Sequence, residues 1–212
     1  MAQDPDPIGN GFIASLAHPG GNITGLSNVN RELSGKRLEL LREIVPRLSR
    51  LAVFGTTAFP GNAQGLKEVE AAAAAFGVKL QYLDCLGSED IDIAFRAASK
   101  EQAGAILVLP GPIFNSHQTK IADLAVKNRL PATYNSPEYV EGGGLMSYGA
   151  SIPDSYRRAA TYVDKILKGA KPGDLPVEQP KKFEFIINIK AAKQIGLTIP
   201  PNVLVRADRV IK

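Results

Sequence analysis

Short runs of apolar residues alternate along this chain with segments whose apolar residues recur every three or four positions. The runs are 50–55 (RLAVFG), 78–83 (VKLQYL), 103–109 (AGAILVL) and 130–134 (LPATY). Runs of this length, bounded by turn residues, predict strands buried on both faces, as in a parallel sheet. Between them, Leu38, Leu41 and Val45 share one helical face, as do Leu66, Val69, Ala73 and Phe76. Ile91, Phe95 and Ala98 repeat the spacing, then Ile121, Leu124 and Ala125. Ser34 and Ser88 suit helix N-caps, and Gly77 suits the position just past a helix end. Strand and helix in this rhythm make βαβ units. The fold class is therefore α/β: a doubly wound parallel sheet with helices on both faces, spanning about residues 23–150. Its expected core includes Leu51, Val53, Phe54, Ile106, Leu107 and Val108.

The flanks follow other patterns. Residues 7–17 (PIGNGFIASLA) read as a short helix. Tyr156, Ala160, Val163 and Leu167 mark a long amphipathic helix, about 154–168, stopped by Gly169 and Pro172. A proline-rich connector, 172–180, precedes a strand at 183–189 and a helix at about 190–195. A Pro-Pro break at 200–201 closes the pattern.

Composition narrows the function classes. The 212 residues are 44% hydrophobic and 22% charged, ordinary for a soluble globular protein. The net charge of +4 is spread along the chain and not gathered into a stripe with interleaved aromatics, which argues against a nucleic-acid partner. One cysteine, Cys85, rules out an internal disulfide and reads as a small buried hydrophobe. The first seven residues, MAQDPDP, have neither a basic region nor an apolar one, so as written the chain carries no export signal.

Enzymatic motifs are missing. Only His18 and His117 are present, the first beside a Pro-Gly-Gly turn and the second in a helix first turn. No His/Cys/Asp/Glu set has metal-ligand spacing, and there is no nucleophile elbow and no phosphate loop. Gly9-Asn10-Gly11-Phe12-Ile13-Ala14 imitates a dinucleotide fingerprint, but the preceding proline-rich residues cannot form the central strand such a site requires. The acid pairs Glu89-Asp90 and Glu68-Glu70 read as solvated helix surface. No cofactor is expected.

Ligands of open parallel sheets bind beyond the carboxyl ends of the strands. Three loops there combine proline or glycine with an aromatic and a small polar group: 56–62 (TTAFPGN), 110–115 (PGPIFN) and 135–139 (NSPEY). Such loops suit a site that stacks on a flat ligand and hydrogen-bonds its polar ends, although proline and glycine are also routine in βα loops and Asn62 suits a helix cap.

Several longer stretches resemble the ABC-transporter substrate-binding family. They are 19–25 (PGGNITG) with 34–41 (SGKRLELL), 141–149 (EGGGLMSYG), 156–160 (YRRAA) with 165–172 (KILKGAKP), 175–180 (LPVEQP) with Phe183, and 195–200 (IGLTIP). The resemblance covers the chain from about Asp6 to Lys212. It implies a type I periplasmic binding fold, two α/β lobes joined by hinge strands and closing on a small molecule. It implies a first-lobe remnant and crossover at 1–22, the ligand-binding lobe at 23–150, a first-lobe-type helix and connector at 151–175, and a strand and helix returning to the lobe at 176–212. The expected function is solute binding for an ABC transporter, the solute an amino acid or aromatic compound, the partners ABC permease subunits, the location periplasmic, and the activity non-enzymatic. Full members begin with a signal and a further lobe of roughly a hundred residues. By that measure the chain is expected to be N-terminally truncated, cytoplasmic if expressed as written, and prone to self-association through exposed hinge helices. The resemblance places Thr56, Thr57, Phe59, Pro110, Phe114, Asn135 and Glu138 where the lobe faces its ligand. Thr56-Thr57 departs from the usual Asn-Pro start of that loop. Two other readings stay open from the residues alone: an enzyme using a nucleotide or sugar phosphate on a Rossmann- or flavodoxin-like lobe, and a regulatory ligand sensor.

Overall fold

A computed structural model of the chain describes residues 1, 4, 7–59 and 61–212. In chain order the elements are α1 (Leu33–Ile44), β1 (Arg50–Gly55), α2 (Gly61–Phe76), β2 (Lys79–Asp84), α3 (Ser88–Lys100), β3 (Ala105–Val108) and α4 (Pro112–Asn115). There follow α5 (Gln118–Lys127), β4 (Ala132–Tyr134), α6 (Pro137–Glu141), β5 (Met146–Ala150), α7 (Ile152–Leu167), β6 (Phe183–Asn188), α8 (Ile189–Gln194), α9 (Pro201–Leu204) and β7 (Arg209–Ile211). The chain divides into two units, Asn30–Gly149 with Glu184–Lys212, and Met1–Val29 with Ala150–Phe183.

The first of these units carries a seven-stranded sheet in the order β2-β1-β3-β4-β5-β6-β7. Every strand pair from β2 to β5 is parallel, and so is β6 with β7. The α/β class expected from the alternating pattern is what forms. Alternation along each strand sends side chains to opposite faces. Leu51, Val53 and Leu107 enter a core with Leu38, Leu41 and Val69 of the first two helices. Ala52, Phe54, Ile106 and Val108 enter a second core with Ile91, Phe95 and Ile121. Leu51, Val53, Phe54, Ile106, Leu107 and Val108 are all 0% exposed. Phe54 meets Phe95 edge to face with ring centroids 5.0 Å apart. Cys85, just past β2, is 0% exposed in the same core.

Helix ends differ in detail from the expected caps. Ser34 lies inside α1, whose N-cap is Glu32. Ser88 opens α3 after Gly87, and the Asp90 carboxylate accepts from the amides of Leu86 and Gly87. Gly77 ends α2 with φ +66°, a left-handed conformation that glycine takes without steric cost. The chain also continues past its Pro-Pro break. Pro201 begins α9, where a missing amide costs nothing, and β7 then adds an outer strand.

In the other unit, residues 7–17 form hydrogen-bonded turns in place of the expected helix: the amides of Gly11 and Phe12 donate to Ile8 and Pro7. Gly9 and Gly11, the latter at φ +72°, make a helix costly there. Isolated bridges join Asp4 to Ser27 and Leu26 to Glu178. The α7 helix sets Tyr162 inward, its hydroxyl donating to the Pro176 carbonyl at 2.6 Å, and Arg158 pairs with Glu178. Tyr156, Val163 and Leu167 are 59%, 57% and 82% exposed on the other side.

Candidate functional site

The order of the strands locates the site. From β1 the chain moves outward to β2, then returns to place β3 on β1's other side. The carboxyl ends of β1 and β3 therefore flank a topological switch point, where open α/β sheets leave a crevice for a ligand. The loops after these two strands are the first two that the sequence singles out.

Asn62 fastens the two loops together. Its Oδ1 accepts from the Thr56 amide at 2.8 Å, and its Nδ2 donates to the Pro110 carbonyl at 2.6 Å. It is 3% exposed, as is Thr56. Both ends of its amide are used, so the residue that suited a helix cap instead staples β1's loop to β3's. Thr57 is exposed and held by a different strand: its amide and hydroxyl donate to the Asp84 carboxylate at 2.8 and 2.7 Å. Phe59 and Pro110 are half-buried, and Pro60 lies outside the described residues. Arg31 reaches the same loop: a Cβ on Gly61 would stand 2.8 Å from its Nε and 3.1 Å from the Phe59 ring.

Phe114 is placed differently from its neighbours. The loop after β3 winds into α4, and this turns the ring inward to 0% exposure, in the core that holds Tyr139 and Ile121. It still borders Thr56, because both side chains pack around Gly111: a Cβ there would lie 3.3 Å from the Phe114 ring and 3.5 Å from the Thr56 methyl.

The third loop follows β4, next to β3. Asn135 and Ser136 are 9% and 7% exposed, and Ser136 Oγ accepts from Gln118 Nε2 at 3.3 Å. Asn135 Oδ1 is buried and receives no hydrogen bond from the described residues. Glu138, in the first turn of α6, is exposed. Thr56, Phe59, Pro110, Asn135, Ser136 and Glu138 thus follow the carboxyl ends of three neighbouring strands, with Phe114 packed around Gly111 next to Thr56.

His117 sits at the start of α5 with Nδ1 2.8 Å from the Ile113 carbonyl oxygen. Residues 9–14, the dinucleotide look-alike, lie in turns. Among the described residues, no group of three or more His, Cys, Asp or Glu is placed to hold a metal ion, and no helix is long and apolar enough to cross a membrane. Sequence reasoning did not single out Asp84 or Arg31 and gave Asn62 another role. A strand-end carboxylate followed by an apolar residue was the available signal for Asp84.

Known proteins share this fold. The chain is 27% identical to a structure of an ABC domain in complex with L-Trp from Streptococcus pneumoniae, with a TM-score of 0.88 over 100% of this chain and 70% of that one. It is 30% identical to a conserved domain protein from Vibrio cholerae, with a TM-score of 0.87 over 97% of this chain and 69% of that one. It is 25% identical over 201 residues to a tyrosine-binding protein of Clostridioides difficile, covering 93% of this chain and 56% of that protein's length. The sequence profile of the ABC transporter substrate binding protein family matches residues 1–211, and the chain belongs to that family.

Proposed function

We propose that this chain binds an aromatic α-amino acid as the solute-binding component of an ABC transporter, on the outer side of the membrane and in partnership with permease subunits. The observation that carries the reading is the pair of switch-point loops stapled by Asn62 beside a buried, unpartnered Asn135 Oδ1. A buried acceptor without a donor costs about 1–3 kcal/mol, and a ligand N–H relieves that cost. Two strand spacings, about 10 Å, separate the ends of β1 and β4. That span suits an aromatic amino acid lying across β3. In this reading the ammonium group meets Asn135 and the Glu138 carboxylate, and Phe59 supplies stacking area. Thr56, Thr57 and Pro110 line the loop side, while Phe114 supports them from below. The ligands named for the relatives, L-Trp and tyrosine, are of this class. No reaction is assigned to the chain.

Isothermal titration of the purified chain with L-tryptophan, L-tyrosine and L-alanine tests the proposal. Heat is expected from an aromatic amino acid and not from alanine, and Asn135→Ala weakens binding about tenfold or more. No heat from either aromatic amino acid, or unchanged affinity in Asn135→Ala, overturns it.

A further inference from the structure

Arg37, in α1, is 0% exposed, and among the described residues its guanidinium's hydrogen-bond partners are all neutral. Nε donates to the Tyr148 carbonyl at 2.7 Å, Nη1 to the Asn30 carbonyl at 2.9 Å and to Ser34 Oγ at 3.3 Å, and Nη2 to Asn30 Oδ1 at 3.1 Å. Burial pulls its pKa down to about 9, so the group keeps its proton and its donors at neutral pH. A buried charge without a counter-charge is expensive, and an apolar side chain of the same length would fill the space at lower cost. The fork therefore has a geometric task.

Its partners show what the task is. Asn30 opens the long stretch of the sheet-bearing unit, and Tyr148 and Gly149 close it. Gly149 is itself wedged: a Cβ there would collide with the Asn135 carbonyl oxygen and lie 3.6 Å from Asn30 Oδ1. The guanidinium thus ties the first residue of the stretch to Tyr148, and Gly149, the residue after Tyr148, packs against the backbone of Asn135, a candidate ligand-binding residue. We infer that Arg37 is a positioning residue, fastening Asn30 to Tyr148 so that the two ends of the stretch and the Asn135 main chain hold one arrangement. A monodentate cation cannot do this, because the geometry uses three nitrogens of a planar fork aimed at separate chain segments.

Amide hydrogen exchange on the whole chain tests the inference, with Arg37→Lys, Arg37→Met and Asn30→Ala as variants. No solute is added, so the result stands apart from the proposed ligand. Amides at 30–32, 134–136 and 147–149 are expected to exchange about tenfold faster in each variant, while those of Val53 and Leu107 keep their rates. Uniform acceleration across the sheet would make Arg37 ordinary packing and overturn the inference, as would Arg37→Lys behaving like the parent. Should Arg37→Met fail to fold, Asn30→Ala removes the side-chain acceptor of Arg37 Nη2 and decides between the same outcomes.

Discussion

Tyr134 and Tyr139 stack with ring centroids 4.4 Å apart and planes 5° from parallel. Both rings are 0% exposed, and both hydroxyl oxygens are buried without a hydrogen-bond partner among the described residues. Burial holds both hydroxyls above the usual tyrosine range, and burial with the nearby Asp84 pushes Tyr82 up to about 12. Each keeps its proton in the fold beyond the pH at which the unfolded chain releases it. Their stabilisation is therefore complete below about pH 10 and declines above it. Arg37 acts in the opposite sense, since its folded pKa of about 9 lies below its ordinary 12.5, but burial also raises Cys85, to about 12, and Tyr162, so it is one group against five. The melting temperature is thus expected to fall as pH rises past about 10, and Tyr139→Phe to lessen the fall. At neutral pH the same substitution removes an unsatisfied oxygen and is expected to leave stability unchanged or raise it by about 1 kcal/mol. Thermal melts of parent and variant across the alkaline range check both statements. At this scale the sequence carried the positions of part of the candidate site. Thr56 and Asn135 were readable because they follow buried runs at a place where such sheets bind ligands. Arg37 was not, because Lys36-Arg37 looks like solvated helix surface and its burial depends on a carbonyl 111 residues away.

The central elements were legible for the reason that they are buried on both sides: β1, β3 and their helices need continuous apolar runs and a 3.6-residue stripe. The short strands β5 and β7 were not, since MSYGA and RVI carry no such run. The helices α4 and α6 read as loops because proline begins each one, a position that local pattern cannot tell from a turn. That ambiguity matters for the site, since winding α4 is what turns Phe114 inward. The elements around the switch point depend on one amide. Asn62→Ala deletes one buried and one partly buried hydrogen bond, to the Thr56 amide and the Pro110 carbonyl, an expected loss of about 2 kcal/mol in denaturant unfolding. A loss below about 0.5 kcal/mol would show that the two loops hold their places without it.

At the scale of the molecule, the chain spans 56% of the length of the tyrosine-binding relative and 70% of that of the L-Trp complex. The α7 helix tests the placement of its unit's residues. Its Tyr156, Val163 and Leu167 face solvent, so Val163→Ser or Leu167→Ser is expected to change stability by no more than about 0.5 kcal/mol. Tyr162 is 6% exposed with its hydroxyl engaged, and Tyr162→Ala is expected to cost about 3 kcal/mol. Equal costs from calorimetric melts would reverse the assigned faces of the helix. Cys85 has a consequence of another kind. It is the sequence's single thiol, sealed in the core beside β2. A thiol-specific reagent can reach it only when that part of the sheet opens, so the labelling rate becomes a clock for local unfolding. The protein carries a built-in reporter of its own breathing, with no label to introduce and no competing cysteine to remove.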